Sequence, residues 1–597
     1  MCLRLFRFCI HLSYNPVTEI FSLGALMSVS GTPFMAEGSH LQDKKLATWK
    51  EIATHLGKEV RTVQRWGKTE GLPVHRHEHR KRSTVYAYAS ELEDWFKKRQ
   101  PADDPEADVA FEPEPDNADI SSSGYFTKRH FPSKRVEKTR LVVLPFSNLS
   151  GDPKQDYFSA GLTDEMITRL GNLDPQRLGV IAATSSSAFA GKPIAEIGRA
   201  LDVQYVLEGS VRREGNRVRI NVQLIQVSDQ THLWADKYDR DLNDILGVQD
   251  DVGRAVAHEI RLAFNPSRAR GGGAIAKRIL NPDAYDAYLR GRFYWTNRGD
   301  LHKSIEAYQQ AIQKDPQCAL AYAGLASAYT LLGRVPYDDL PPSEAKPKAR
   351  EAAEHALQLD PELAEAHAVL ANVALSYDWK FDTAEREFQR AVALGPNDPT
   401  PHLWYGHFCI VRNRLSQALE ENSYSLELDP VSPLFNSVRA EIHYYARNYE
   451  AAIEQERRTI DQYPNYPLAY IWLGSAYREK KMYSEALEQF SKARQLSGDH
   501  PAMVALYGHA LAVSGDAAGA RKTLAKLQDL AQSRYVSSLY FAAIYTGLGE
   551  TSTALDWLDR AYTERNDRLV YLGVDPIADP LRADPRFAQL LQKIGIK

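Results

Sequence analysis

Apolar and polar positions change their rhythm several times along the chain. Between Thr48 and Lys68, Trp49, Ile52, Ala53 and Leu56 share one helical face, Thr48 stands at a cap position and Gly57 ends the run. A second helical run follows with Val60, Val63 and Trp66 inward. After Gly71, Leu72-Pro73-Val74 and Thr84-Val85-Tyr86-Ala87-Tyr88 read as two short strands around a tip from His75 to Ser83, and Ser90 caps a third helix from Glu91 to Lys98. Periodicity then disappears from Pro101 to Ser123. From Arg140 to Phe264 strands and helices alternate: Leu141 to Leu144 as a buried strand, Tyr157 to Leu170 as a helix, Val180 to Ala182 as a strand, and Pro193 to Leu201 as a helix. A hairpin follows, from Tyr205 to Arg212 and from Val218 to Val227, turning at Glu214-Gly215-Asn216, with Asp244 to Phe264 as a closing helix. From Pro282 onwards helical spacing dominates.

These changes set the expected domains: an extension over 1–43, a small domain over 44–99, a linker over 100–138, a mixed α/β domain over 139–266 and a helical array over 280–597. A chain of 597 residues with 44% hydrophobic and 25% charged residues and a net charge of −4 has the composition of a multidomain globular protein. The extension is expected to be poorly ordered, because His11 and Asn15 interrupt the apolar run that a leader peptide needs. Its uncharged stretch from Ile20 to Ala36 is broken by Ser, Gly, Thr and Pro, so no membrane span is expected. Cys2, Cys9, Cys318 and Cys409 show no zinc spacing and fit a reducing compartment, so the expected location is the cytoplasm. The linker carries eight acidic residues and four prolines between Pro101 and Asp119, the composition of a disordered tether.

Charge is concentrated in the small domain: Lys44 to Arg99 holds 14 positive and 7 negative side chains, a balance of +7. A basic segment in a slightly acidic chain is the footprint of a polyphosphate binder. Helical spacing throws Arg61, Thr62, Gln64, Arg65 and Lys68 outward from the second helix, placed for base edges and phosphates of duplex DNA, while Arg80, Lys81 and Arg82 lie at the tip between the strands. The stretch from Leu46 to Arg99 resembles the winged helix-turn-helix domains of the MerR and excisionase type. That resemblance implies a second helix in the major groove and a wing on the backbone or minor groove. A solvated protein-binding face is the alternative. His75, His77 and His79 alternate but lack a fourth partner, and no metal is expected.

In the α/β domain, Gly151, Gly161 and Gly209 form neither a dinucleotide fingerprint nor a phosphate loop. Asp164-Glu165 is read as a helix start, where carboxylates are favoured, and Arg212 and Arg213 as surface partners of Asp236, Asp239 and Asp241. LPFSNLSGDPKQDYFSAGLTDEMITRL, ALDVQYVLEGSVRREGNRVRINVQLIQVSDQTHLWADKYDRDL and ILGVQDDVGRAVAHEI resemble the TolB amino-terminal or FlgO-like domain. The resemblance implies a binding or assembly module and no catalytic residue.

Across the array the prolines of Asp315-Pro316, Asp360-Pro361, Gly395-Pro396, Asp429-Pro430 and Tyr463-Pro464 are spaced by 45, 35, 34 and 34 residues. This is the period of tetratricopeptide (TPR) repeats. Trp472, Leu473, Gly474, Tyr477, Ala486, Phe490 and Ala493 stand at its consensus positions. Pro336 to Pro347 reads as an inserted loop, Gly498 replaces the next proline, and Asp575-Pro576 to Leu591 reads as an end cap. The resemblance implies a groove for a protein or peptide partner, for which His402, Tyr405, Asn436, Arg439, Tyr470 and Arg478 are the candidate lining. The expected fold class is therefore multidomain: a small winged helix-turn-helix, a mixed α/β domain and an all-α TPR solenoid. Without a nucleophile–base or metal constellation, no enzyme activity and no cofactor are expected. The expected function is transcriptional regulation through duplex DNA and a protein partner, with a TPR scaffold that binds no DNA as the alternative.

Overall fold

The computed structural model describes residues 45–46, 48–56, 63, 72–77, 84–88, 91–92, 95, 138–260, 281–296, 300–334 and 340–596. The expected extension and nearly all of the linker lie outside the described residues. Two compact units result, one within residues 17–131 and one that contains the α/β domain and the array.

In the small unit, helix α1 (Trp49–His55) begins as its sequence dictates, with the Thr48 hydroxyl accepting from the Glu51 N–H at 3.2 Å. β1 (Lys45–Leu46) and β2 (His75–His77) both pair antiparallel with β3 (Thr84–Tyr88) in the order β1-β3-β2. The wing strand thus starts at His75, later than the expected Leu72-Pro73-Val74, because Pro73 has no N–H for a ladder and Leu72 is committed to the core. That core joins Leu46, Ile52, Ala53, Val63, Leu72, Ala87 and Leu92, with Trp49, Leu56, Val74 and Trp95 packed against it.

The α/β domain carries a six-stranded mixed sheet of order β6-β4-β7-β8-β9, built from β4 (Thr139–Val143), β6 (Leu178–Ile181), β7 (Tyr205–Glu214), β8 (Arg217–Gln226) and β9 (His232–Asp241), with β5 (Ser147–Asn148) beside β7. Leu141 and Val143 face the core under helices α2 (Asp156–Gly171) and α5 (Ile245–Glu259), whereas Val142 faces a second core with Ile197 and Leu201 of α4 (Ile194–Leu201). Burial on both faces explains why β4 reads as an unbroken apolar run. β7 and β8 turn through Gly215 at φ +60°, the left-handed geometry of a two-residue hairpin. Three features depart from the sequence reading. β9 is a full strand where no element was expected, α3 (Ala183–Ala188) is helical, and Asp164-Glu165 lies in the middle of α2.

The array contains eight helix pairs among the described residues, from Pro282–Thr296 with Leu301–Lys314 to Ser538–Gly547 with Thr551–Thr563. The expected loop from Pro336 to Pro347 is cut short, because a helix already starts at Pro342 and runs through Pro347 to Leu359. Within a pair the turn is set by a left-handed residue, and Trp379, Asn413, Arg447, Lys481, Gly515 and Gly549 all have positive φ at intervals of 34. Gly498 is likewise left-handed at φ +65°. Where two helices touch, size is fixed: a Cβ on Gly474 would stand 3.0 Å from the Phe490 ring.

Candidate functional site

Of the basic domain, the structure describes part of the core and the strands. Val63 is helical and fully buried. Arg61, Thr62, Gln64, Arg65, Lys68, Arg80, Lys81 and Arg82 lie outside the described residues. His75 of β2 is bonded to Glu91 at 2.7 Å, across 16 residues of chain. Among the described residues no group of three or more His, Cys, Asp or Glu is arranged to hold a metal ion.

The candidate groove residues of the array have another use. Tyr470 donates to the carbonyl of Pro464 at 2.7 Å, His402 approaches that of Pro396 at 3.4 Å, and the Asn436 amide donates to that of Pro430 at 3.4 Å. Each bond spans six residues, so one side chain per repeat satisfies a carbonyl left open where the chain enters a first helix. His402 also bonds Glu421, and Asn436 accepts from Gln455, both on the second helix of the same pair. The Tyr405 hydroxyl accepts from Gln417 at 3.1 Å, and Arg439 reaches back to Asn422 and Ser423. Arg478, only 3% exposed, donates to the Tyr444 hydroxyl at 2.7 Å. His402, Tyr405, Tyr470 and Arg478 are therefore buried packing residues and do not line an open groove; Asn436 and Arg439 alone keep partial exposure.

Residues 562–579 cover the carboxyl ends of the first helices of the third and fifth pairs. Arg565 donates to the Tyr377 carbonyl at 2.9 Å and lies over the Trp379 ring, which itself stacks on Tyr562. Arg568 donates to the Tyr445 hydroxyl at 2.7 Å, Tyr571 stacks on Tyr445, and Arg447 holds Asp579 with two bonds at 2.8 and 2.9 Å. Leu569, Val570 and Tyr571 are buried in this seam. Burial pulls the Lys346 amine down to about 8, against the opposing attraction of Asp567. Of the expected end cap from Asp575-Pro576 to Leu591, Asp579 meets Arg447 of the fifth pair, while the residues just before it, Tyr562 and Arg565, reach back to the third.

A second seam joins the α/β domain to the array. Asp164 pairs with Arg292 at 2.8 Å, Glu165 accepts from the Tyr288 hydroxyl at 2.6 Å, and Asp286 receives Tyr157 at 2.7 Å together with Arg213. Burial raises Glu165 above the usual carboxyl range, and Arg292 opposes that rise. Further along, Asn397 donates to the carbonyls of Gly171 and Leu178 at 2.7 and 2.8 Å. Asp429 accepts the Ser185 N–H at 2.8 Å and its hydroxyl at 2.5 Å, and burial pushes its carboxyl up to about 6. Asp315 and Asp360, at the matching repeat ends, accept from the N–H two residues on, so Asp429 is a repeat-end aspartate diverted to another domain. Arg213 belongs to this seam and Arg212 pairs with Glu214, while Asp239 is held by Arg217 and Arg219. These partners replace the expected surface pairs. Matching D-P motifs do not show which aspartate is diverted, and helix spacing alone does not show that Asp164-Glu165 faces another domain.

Residues 137–252 match the second domain of HilA/YgeH-like transcriptional regulators. Residues 296–336 and 438–501 match one tetratricopeptide-repeat family and residues 477–540 another. The chain thus couples a HilA/YgeH-like regulator domain to a TPR array. A stretch of 200 residues is 40% identical to a putative adenylate cyclase 3 of Rhizobium meliloti strain 1021, covering 33% of this chain and 33% of that relative. The chain spans about a third of the length of that relative. Solved structures with likeness include Pseudomonas aeruginosa pilF (18% identical, 40% of this chain and 98% of that one, TM-score 0.29). A thermophilic TPR protein of Thermus thermophilus is similar at 18% identity, with 32% of this chain and 98% of that one covered and a TM-score of 0.28. Among the described residues no helix is long and apolar enough to cross a membrane.

Proposed function

We propose that this chain is a cytoplasmic transcriptional regulator that binds duplex DNA through residues 44–99 and a protein partner through its array, without catalysis of its own. The observation that carries the reading is the separate core of the basic unit, which supports a helix and a three-stranded sheet in a segment of charge +7. The HilA/YgeH-like match supports it from the neighbouring domain. In this reading Arg61, Thr62, Gln64, Arg65 and Lys68 enter the major groove as in MerR and excisionase domains, and Arg80, Lys81 and Arg82 contact phosphate. The α/β domain acts as a TolB-like assembly module that joins the DNA-binding part to the array. Asn436 and Arg439, still partly exposed, are the remaining contacts for a partner.

The test is a fluorescence-anisotropy titration of the full chain, of a fragment spanning 44–99 and of a chain beginning after Gly124, on duplexes selected with the full chain. The fragment should retain DNA affinity with a steep salt dependence, and the shortened chain should lose it. Arg65→Ala should relax sequence preference by about 1 to 3 kcal/mol, the worth of a bidentate base contact. Neutralising Arg80, Lys81 and Arg82 should weaken all duplexes alike and flatten the salt slope. Equal binding by the chain that begins after Gly124 leaves the scaffold reading in its place.

A further inference from the structure

The sheet of the α/β domain ends in β9, which pairs with β8 on one side and has no ladder partner on the other among the described residues. Its outer backbone can be read from the register. The Leu242 N–H donates to the Asn216 carbonyl at 2.8 Å, one step beyond the pair Arg217 and Asp241. Bonded and non-bonded pairs alternate in an antiparallel ladder, so the even-numbered residues from Asp236 to Arg240 bond β8. The odd-numbered Ala235, Lys237, Asp239 and Asp241 therefore turn their N–H and C=O groups outward. In agreement, the Lys237 N–H is met by the carboxylate of its own neighbour Asp236 at 2.7 Å and by no strand.

Charged edges ordinarily discourage pairing. A row of one sign would do so here, but the sequence Asp236-Lys237-Tyr238-Asp239-Arg240 alternates, and it complements itself when reversed. Centred on Tyr238, an antiparallel pairing sets Lys237 opposite Asp239 of a second copy and Asp236 opposite its Arg240, and two-fold symmetry makes each pair twice. Lys237 and Asp239 both point their backbone outward, as a bonded pair requires. Registers centred on Asp236, Lys237 or Asp239 bring like charges together. The Asp239 carboxylate is already fixed by Arg217 and Arg219 at 2.6 and 2.9 Å, and Asp236, Lys237 and Arg240 are exposed.

We propose that the occupant of this edge is β9 of a second copy of the same chain, giving a two-fold dimer with a sheet continuous across the axis. The dimer goes beyond the regulatory reading and does not depend on it. Backbone bonds supply the cohesion, and the charge pattern selects register and partner.

Sedimentation equilibrium on the full chain tests this directly, with circular dichroism melts to confirm that each variant is folded. The wild type should sediment as a dimer at micromolar concentrations. Arg240→Glu alone sets two acidic side chains opposite each other, and Asp236→Lys alone sets two basic ones, so each variant should be monomeric. An equimolar mixture of the two variants should recover the dimer, since the two introduced side chains then meet with opposite sign and the two native ones do as well. A wild type that stays monomeric, a single variant that dimerises as well as the wild type, or a mixture that remains monomeric overturns the proposal.

Discussion

The two helices of a repeat meet through side-chain volume, whereas the α/β domain meets the array through polar groups. Within a pair, Gly474 of the first helix lies against Phe490 of the second, and Ala486 and Ala493 are fully buried. At the domain seam the joint is made by Asp164, Glu165, Asn397 and Asp429, each wholly or partly buried and each bonded to a named partner. An apolar joint depends on fit and is insensitive to pH and salt. A polar joint depends on protonation and on every bond being made. The contact of Gly474 with Phe490 is therefore set by shape, and the domain seam by chemistry that the solvent can alter.

The largest effect that breaks this contrast is expected at the apolar joint. Gly474→Leu forces a branched side chain against Phe490 and should cost about 3 kcal/mol or more, read as a lowered denaturant midpoint of the full chain. An unchanged midpoint removes the steric account. At the polar joint, the Asp429 carboxyl is raised from 3.8 to about 6, so its protonated form is the one favoured in the fold. Its contribution is complete below the ordinary carboxyl range and fades as pH rises through about 6, a loss of about 3 kcal/mol. Asp429→Asn should flatten that part of the stability–pH curve, and a curve of unchanged slope refutes the assignment. Asn397→Ala leaves two buried carbonyls without a donor and should cost about 1 to 2 kcal/mol at any pH. The smallest effect is expected at Arg447, which holds a left-handed conformation and an exposed pair with Asp579. Arg447→Gly relieves the first and removes the second, so thermal melts should shift by no more than about 0.5 kcal/mol.

Much of the architecture is legible in the sequence because its signals are local. The proline period reports the repeats, Thr48 reports the start of α1, and alternating apolar residues report β8. β9 escapes the same reading because only Tyr238 of its ten residues is buried, and its charges resemble those of a loop. Groove residues chosen by repeat position are misplaced for a different reason. Periodicity identifies equivalent positions, but it does not show that 402, 436 and 470 turn to the Pro396, Pro430 and Pro464 carbonyls at the entry to a first helix. The Arg568–Tyr445 and Asp429–Ser185 bonds join residues 123 and 244 positions apart, a separation at which no local pattern informs.

A solenoid without long-range contacts can fold from any repeat, and its early repeats can settle while later ones are still being made. The closure described above removes that freedom. Tyr377, Trp379 and Tyr445 emerge from the ribosome well before Arg565, Arg568 and Tyr571, and their partners in this closure are missing until those residues are made. At about 5 to 20 residues per second, the roughly 190 residues between Tyr377 and Arg568 represent on the order of ten seconds or more of delay. A chain cut before Tyr562 would therefore leave Tyr377, Trp379 and Tyr445 uncovered, and the fold of the third and fifth pairs rests on segments made long after them.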